Sequence, residues 1–300
     1  MKEHYHKVRN GNPFNAERIT ITGGEPFFEL EITRELIRAA AHRGCAVTIV
    51  TSGFWAKTRT EATRQIADLP SFDDLVISYD PHHNRFVKSD FVENAYHAAK
   101  NAGIGVKIRL IQCEPASAQE LAIERMVQGF AQIDEIEYQR LIKYGRAADI
   151  ELPGASYGPL ERDYCPTSGP HIAVDGTVIP CCNAIMSIDA DHPLKLGNIT
   201  RQSPSEIHES FLRSILLAAL KIEGAPRFRS ILRKHLGARV DQMSICDLCF
   251  EICSSHQIYA IVASEIDRPE SKLAIYAFGA SQLGMDELAP LVEEIATECA

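Results

Sequence analysis

The sequence lacks a long apolar run, an apolar leader and an excess of basic charge. Its longest apolar stretches, such as Ser214 to Leu220, are far shorter than the roughly 20 residues that cross a bilayer. The first residues, Met1 to His6, lack the apolar core of a signal peptide. A net charge of −9 argues against nucleic acid or an anionic membrane as a partner. We therefore expect a cytoplasmic protein with neither partner.

The first half of the chain alternates short apolar segments with longer segments of helical period. This alternation predicts an α/β fold in which a parallel sheet or barrel carries its helices outside. The predicted strands are Ile19–Thr22, Ala46–Thr51, Leu75–Tyr79, Val106–Gln112 and Glu135–Ile142. The predicted helices are Glu31–His42, Glu61–Ala67, Phe91–Asn101 and Ala118–Phe130.

The turn after the first of these strands reads Thr22-Gly23-Gly24-Glu25-Pro26. Two consecutive glycines let a ligand approach the backbone closely, because no Cβ stands in the way. Glu25 adds a negative charge and Pro26 stiffens the exit from the turn. The sequence predicts a small polar cradle for a cationic or amine-bearing ligand, with a simple strand-to-helix turn as the alternative.

Polar residues follow the other predicted strands as well. In a parallel β/α array the strand ends share one rim, where such folds place their sites. We therefore expect these residues to converge with the glycine turn. They are Thr51-Ser52-Gly53, Ser78 to His83 with Asp80 among them, Arg109, and Lys143 to Ala147.

Nine cysteines, an odd number, form a poor disulfide framework in a cytoplasmic chain, so we interpret a cluster of them as metal-binding. Six of them lie between Cys165 and Cys253. Cys165 precedes a hairpin predicted from Asp175-Gly176, and Cys181-Cys182 follows it. Cys246-x2-Cys249 can offer two thiolates from a turn to a four-thiolate centre, with Cys253 close by. Iron–sulfur is the favoured metal and zinc the alternative.

Taken in order, these motifs resemble those of radical S-adenosylmethionine enzymes with a C-terminal SPASM or twitch auxiliary-cluster domain. The matching motifs are Gly-Gly-Glu-Pro after a strand, Ser78-x-Asp80, Gly145-Arg146-Ala147, Cys165-x10-Gly176-x4-Cys181 and Cys246-x2-Cys249-x3-Cys253. The resemblance covers roughly residues 17 to 255. It implies a partial (β/α) TIM-like barrel and a small α+β cluster domain.

The resemblance also implies roles for individual residues. Gly23, Gly24, Glu25 and Pro26 would form the turn that holds the amino group of S-adenosylmethionine. Ser52, Ser78, Asp80 and Arg109 would line the cofactor or substrate rim. One auxiliary [4Fe–4S] cluster would be bound by Cys165, Cys181, Cys246 and either Cys249 or Cys253, with Cys182 spare. His82 and His83 would serve the rim, and Trp55 would pack.

The family's Cys-x3-Cys-x2-Cys loop has no counterpart in this sequence, whose first cysteine is Cys45. We interpret Cys45 and Cys113 as core or neutral positions. The first barrel strand is likewise unaccounted for, which leads us to expect an N-terminally truncated chain. A degenerate homologue that keeps only a cluster is the alternative. The radical-generating [4Fe–4S] cluster is expected only if the missing segment is supplied.

Four segments follow from these patterns. We expect a partial barrel over residues 1–150, a linker over 151–164, a cluster domain over 165–265 and a C-terminal helix and tail over 266–300. The implied reaction is reductive cleavage of S-adenosylmethionine to a 5′-deoxyadenosyl radical, which abstracts hydrogen from a peptide, protein or small molecule. The implied partner is a reductant such as a flavodoxin or ferredoxin. The alternative is a non-catalytic iron–sulfur or zinc protein.

Overall fold

The first half of the chain forms a five-stranded, fully parallel sheet. The computed structural model describes residues 16–113, 116–140, 163–167, 169–182 and 184–298. The strands stand side by side in chain order and are β1 (Arg18–Ile21), β2 (Ala46–Thr51), β3 (Asp74–Tyr79), β4 (Gly105–Gln112) and β5 (Ile136–Arg140). Because all strands run in one direction, their carboxyl ends meet along one edge of the sheet.

Four helices connect these strands, and their apolar faces form one core with one face of the sheet. The helices are α1 (Leu30–His42), α2 (Arg59–Ala67), α3 (Ser89–Asn101) and α4 (Ala118–Gln128). Side chains such as Ile37, Val92 and Ile123 pack against alternating strand residues, among them Ile49 and Ile77. Alternation along a strand sends the intervening side chains to the other face.

That other face of the sheet is polar. Ser78 is the register partner of Arg109, and Arg109 is the register partner of Glu137, so the three side chains lie in a row across β3, β4 and β5. At the far side, Arg18 donates to Thr48 Oγ1 at 2.8 Å. The row of Ser78, Arg109 and Glu137 suits a polar ligand rather than a second packed layer of helices.

The second half is built from a small antiparallel sheet and a helical core. The sheet contains β6 (His171–Ile172), β7 (Thr177–Ile179) and β8 (Gly197–Asn198) in that order. The helices are α5 (Pro204–Arg213), α6 (Ile215–Ile222), α7 (Gly224–Leu236), α8 (Ile245–Ser254), α9 (His256–Ile266), α10 (Pro269–Gln282) and α11 (Ala289–Glu298). The hairpin expected at Asp175-Gly176 is present.

A short stretch before the hairpin is tied to two of these helices. The Cys165 N–H donates to the Leu220 carbonyl at 3.0 Å, and the Asp163 carbonyl accepts from the Ala225 N–H at 2.6 Å. Gly224 lies at the junction with φ +65°, and a Cβ added there would collide with the Asp163 carbonyl and the Tyr164 ring. Only glycine therefore allows this approach.

The predicted fold class is confirmed: the chain is α/β, with a parallel sheet that does not close into a barrel among the described residues. The helices α5 and α6 are separate, because Ser214 leaves the helical conformation and caps α6 by accepting from the Leu217 N–H. The stretches Met1–Asn10 and Lys143–Ala147, and most of the linker, lie outside the described residues. None of the described helices is long and apolar enough to cross a membrane.

Candidate functional site

The turn that follows β1 is open to a ligand. Gly23 and Gly24 have φ +83° and +65°, in the left-handed region that glycine tolerates and other residues rarely adopt. Both are exposed, and no heavy atom lies within 4 Å of the place where a Cβ would stand. The backbone at this strand end is therefore accessible from the rim.

The Glu25 carboxylate is tied to the end of the neighbouring strand. Its Oε1 accepts from Thr51 Oγ1 at 2.6 Å and from the Phe27 N–H at 3.3 Å. Its Oε2 accepts from the Ser52 N–H at 3.0 Å and from Ser52 Oγ at 2.6 Å. These four donors match the roughly four lone-pair sites of a carboxylate. Glu25 is thus fixed in orientation, and the turns after β1 and β2 become one unit.

A buried layer lies directly under this unit. Thr51 Oγ1 accepts from the Trp55 indole N–H at 2.9 Å and from the Gly53 N–H at 3.1 Å. The Trp55 ring stacks on Phe27 with centroids 3.9 Å apart, and both rings belong to the core. Trp55, interpreted from sequence as a packing residue, therefore packs and also donates a hydrogen bond toward the turn.

Asp80 and His83 form a second polar pair, just beyond the end of β3. The Asp80 side chain is 1% exposed; it accepts from the N–H groups of His82 at 2.7 Å and His83 at 3.0 Å, and lies 2.6 Å from His83 Nδ1. Burial pushes the pKa of Asp80 upward, but the hydrogen bonds and charge of His83 outweigh it, so the pKa is lowered. His83 is half-buried at the rim.

Ser78 and Arg109 lie on the polar face of the sheet. The Arg109 guanidinium is 3.2 Å from a Glu137 carboxylate oxygen, and both side chains are partly exposed. Glu137 was not singled out from the sequence, although its register opposite Arg109 follows from the parallel pairing of β4 with β5. The rim and this face hold every predicted cofactor-binding residue, from Gly23 to Arg109.

The cysteines of the second half lie on the hairpin and on a helix. Cys246, Cys249 and Cys253 share one face of α8, because residues three, four and seven apart are neighbours on a helix. The expectation that Cys246 and Cys249 sit on a turn is therefore wrong. The missed signal is Ser244-x-x-Asp247, a capping box that starts α8: Ser244 accepts from the Asp247 N–H, and Asp247 accepts from the Ser244 N–H.

Four thiols interact with one another. Burial, together with the neighbouring thiols of Cys249, Cys165 and Cys181, raises the pKa of Cys246 to about 12. Burial and Cys249 also raise the pKa of Cys165, partly offset by the Thr167 N–H and by Lys221. Buried thiols that disfavour each other's ionisation are relieved when a metal binds the thiolates, so this donor set suits a metal centre.

The choice between Cys249 and Cys253 as a ligand also has a structural basis. A hydrogen bond between these two thiols, followed by burial and the charge of Cys253, holds the pKa of Cys249 well above its usual range. Cys253 is only 5% exposed and belongs to the apolar core. The neighbouring Cys249 raises the pKa of both Cys165 and Cys246. This arrangement favours Cys249 over Cys253 as the cluster ligand.

Among the described residues, no group of three or more His, Cys, Asp or Glu side chains is close enough for a single metal ion. A four-iron cluster differs from one ion, because each ligand sulfur binds a different iron and the sulfurs stand further apart. Of the remaining cysteines, Cys182 is exposed, Cys113 is half-buried, and Cys45 is buried with its thiol 3.0 Å from the Ala16 carbonyl.

Residues 164–250, which contain this set, match the family model SPASM, described as an iron-sulfur cluster-binding domain. The chain thus has the fold and the cluster-domain signature of radical S-adenosylmethionine proteins with a SPASM domain, which confirms the resemblance predicted from the sequence. The chain is similar to the "Putative peptide biosynthesis protein YydG" of Bacillus subtilis (strain 168). The two are 22% identical over 249 residues, which cover 79% of this chain and 77% of YydG.

A solved structure titled "Native anSMEcpe with bound AdoMet and Kp18Cys peptide" is also similar. Its TM-score with this chain is 0.51 at 13% identity, and the alignment covers 91% of this chain and 89% of that chain. At this level of identity the likeness concerns the fold.

Proposed function

We propose that the chain acts in peptide modification by radical S-adenosylmethionine chemistry, with one auxiliary [4Fe–4S] cluster in its second half. The observation that carries the proposal is the match of the cysteine-bearing segment to an iron–sulfur cluster-binding domain. It is supported by the similarity to YydG, whose name assigns it to peptide biosynthesis, and by a related fold solved with AdoMet and a peptide.

The rim supplies the cofactor site in this proposal. The open backbone at Gly23 and Gly24 lets the methionyl end of S-adenosylmethionine approach, and the fixed Glu25 carboxylate, whose acceptor sites already hold protein donors, attracts its ammonium group by charge. Arg109, on the polar face, can pair with a carboxylate of the cofactor or of a peptide. Ser52 and Ser78 complete the polar lining, and the buried Asp80 holds His83 at the rim.

The second half supplies the cluster site. Cys165, Cys181, Cys246 and Cys249 would bind the auxiliary cluster, and Cys253 would lie next to Cys249 in the core. When bound, S-adenosylmethionine and a radical-generating cluster supply the 5′-deoxyadenosyl radical, and the three-thiolate segment that such a cluster needs is not contained in these 300 residues. In this proposal the chain's own residues bind and orient the reactants and exclude water from them.

Anaerobic reconstitution of the full chain tests this proposal. We expect about four irons per chain, which Cys249→Ala should abolish and Cys253→Ala should preserve. S-adenosylmethionine should bind the reconstituted protein, and 5′-deoxyadenosine should form when a Cys-x3-Cys-x2-Cys segment is supplied.

Three results would change the proposal. Bound zinc in place of iron would overturn the cluster assignment. If iron binds but no 5′-deoxyadenosine forms, even with that segment supplied, a non-catalytic cluster protein would be favoured. Loss of iron in Cys253→Ala but not in Cys249→Ala would exchange the two ligands.

A further inference from the structure

We propose that Thr51 and Trp55 are positioning residues that orient Glu25 for an ammonium group, and so give the rim a preference for an amine-bearing ligand. Neither residue has been assigned a role in the site so far. This inference rests on the proposed function, because the ligand used to test it is S-adenosylmethionine.

The direction of the hydrogen-bond chain follows from the chemistry of its members. The Trp55 indole nitrogen and the Gly53 amide can only donate, and both donate to Thr51 Oγ1. Both lone pairs of the Thr51 hydroxyl are therefore occupied, so its single hydrogen points at Glu25 Oε1, 2.6 Å away. The chain runs from Trp55 through Thr51 to Glu25, and each donated bond polarises the next one.

This hydrogen-bond chain does not neutralise the Glu25 carboxylate. All four of its hydrogen-bond partners, contributed by Thr51, Phe27 and two groups of Ser52, are neutral donors. Within the parts of the chain that the structure describes, no Lys, Arg or His forms an ion pair with Glu25. A carboxylate that is held but not neutralised, beside an exposed glycine backbone, is complementary to a cation.

Trp55, the first donor of the hydrogen-bond chain, is held rigidly. Trp55 is 3% exposed and Phe27 is 5% exposed, and their rings stack 3.9 Å apart. The Thr51 hydroxyl therefore has one well-defined donor, and water has little access to replace it. A side chain locked in this way orients its partner at little entropic cost during binding.

The test compares two ligands on the reconstituted full chain by calorimetry: S-adenosylmethionine and its analogue in which the amino group is replaced by hydrogen. Thr51→Val keeps the shape but lacks the hydroxyl, so it should weaken S-adenosylmethionine binding about tenfold. Binding of the deaminated analogue should change little. Thr51→Ser, which keeps a hydroxyl, should restore the preference for the amine. Trp55→Phe, which keeps the stacking but lacks the indole N–H, should weaken that preference roughly threefold.

Thr48→Val is the matched control, since Thr48 is a buried threonine on the same strand that bonds Arg18 instead of Glu25. It should leave the ratio of the two affinities unchanged, and thermal unfolding should show that each variant folds. Equal losses for both ligands in Thr51→Val, or no loss, would overturn the inference and leave the proposed function intact. Failure of the unmodified chain to bind S-adenosylmethionine would overturn both.

Discussion

The rim of the parallel sheet and the cysteine set of the second half are two polar sites built on opposite principles. At the rim, both carboxylates are hydrogen-bonded within the protein: Glu25 accepts from four donors, and Asp80 accepts from two backbone amides and lies beside His83. In the cysteine set, burial and neighbouring thiols raise the pKa of Cys246, and the hydrogen bond to Cys253 together with burial raises the pKa of Cys249, so the ionised forms are disfavoured.

This difference shows which site depends on its ligand. The rim is complete in the protein alone, so a ligand is expected to bind a prepared surface. The cysteine set is satisfied only when a metal takes up the thiolates, so its stability is expected to depend on the metal. The predictions below test this contrast, from the largest expected effect to the smallest.

Removal of iron should have the largest effect, and only on the second half. Chelation of the reconstituted protein is expected to speed amide exchange in α8 and around Cys165 by several orders of magnitude, since metal binding there contributes folding free energy. The strands β2 and β3 should exchange at unchanged rates. Hydrogen-exchange mass spectrometry measures both regions in one sample, and uniform acceleration across the chain would contradict the contrast.

Gly224→Ala should disturb the second half by a smaller amount. The new Cβ would collide with the Asp163 carbonyl, so the segment that carries Cys165 must move away from α7. We expect a loss of about 3 kcal/mol in unfolding free energy and a lower iron content.

Gly284→Ala is the control for this change. Gly284 has nearly the same φ, +67°, and no heavy atom within 4 Å of the added Cβ, so it reports the backbone strain alone, about 1 kcal/mol. Equal effects of the two substitutions would show that close approach at Gly224 is unimportant.

Asp80→Asn tests the rim by removing one ionisable group. We expect a loss of about 2 kcal/mol at pH 7, because a buried acceptor of several hydrogen bonds is replaced. The folded pKa of Asp80 is lowered, so its stabilising contribution is complete above the unfolded value of about 3.9 and is lost as the pH falls through the folded pKa.

Urea unfolding between pH 7 and about pH 3.5 measures this effect. The difference between the unmodified chain and Asp80→Asn should shrink toward the acid end of the range. A difference that stays constant with pH would show that Asp80 contributes only through its shape.

Glu137→Gln should have the smallest effect on stability. The pair with Arg109 is partly exposed, and such pairs contribute roughly 0.2–1 kcal/mol. The same substitution should change the affinity for a carboxylate ligand more than it changes the unfolding midpoint, because it releases the guanidinium. A large shift of the midpoint would mean that the pair is structural.

The sequence predicted the sheet well, because alternation of strands and helices is a local pattern. Ala46–Thr51 was predicted with its observed bounds, and the starts of the other four strands differ from the predicted ones by one residue. The glycine turn was also recognisable, because two consecutive glycines after a strand indicate a turn with positive φ.

Features that depend on contacts between distant residues were not predictable. The helix that carries Cys246, Cys249 and Cys253 was taken for a turn, because the cysteine spacing outweighed the capping signal at Ser244. The bond from Trp55 to Thr51 joins a turn residue to the end of β2, and no periodicity reveals the direction of the turn side chain. The assignments of individual ligands and the segment boundaries remain predictions.

The attachment of Cys165 to α6 and α7 has a further consequence for the assembly of the cluster. Cys165 and Cys249 are far apart in the sequence, and in an unfolded chain a metal would have to close the long loop between them against its entropy. The bonds from Cys165 to Leu220 and from Ala225 to Asp163 shorten that loop, because they hold Cys165 beside α6 and α7. Iron should therefore meet a smaller entropic cost when it joins Cys165 to Cys249 than it would in a chain without these bonds.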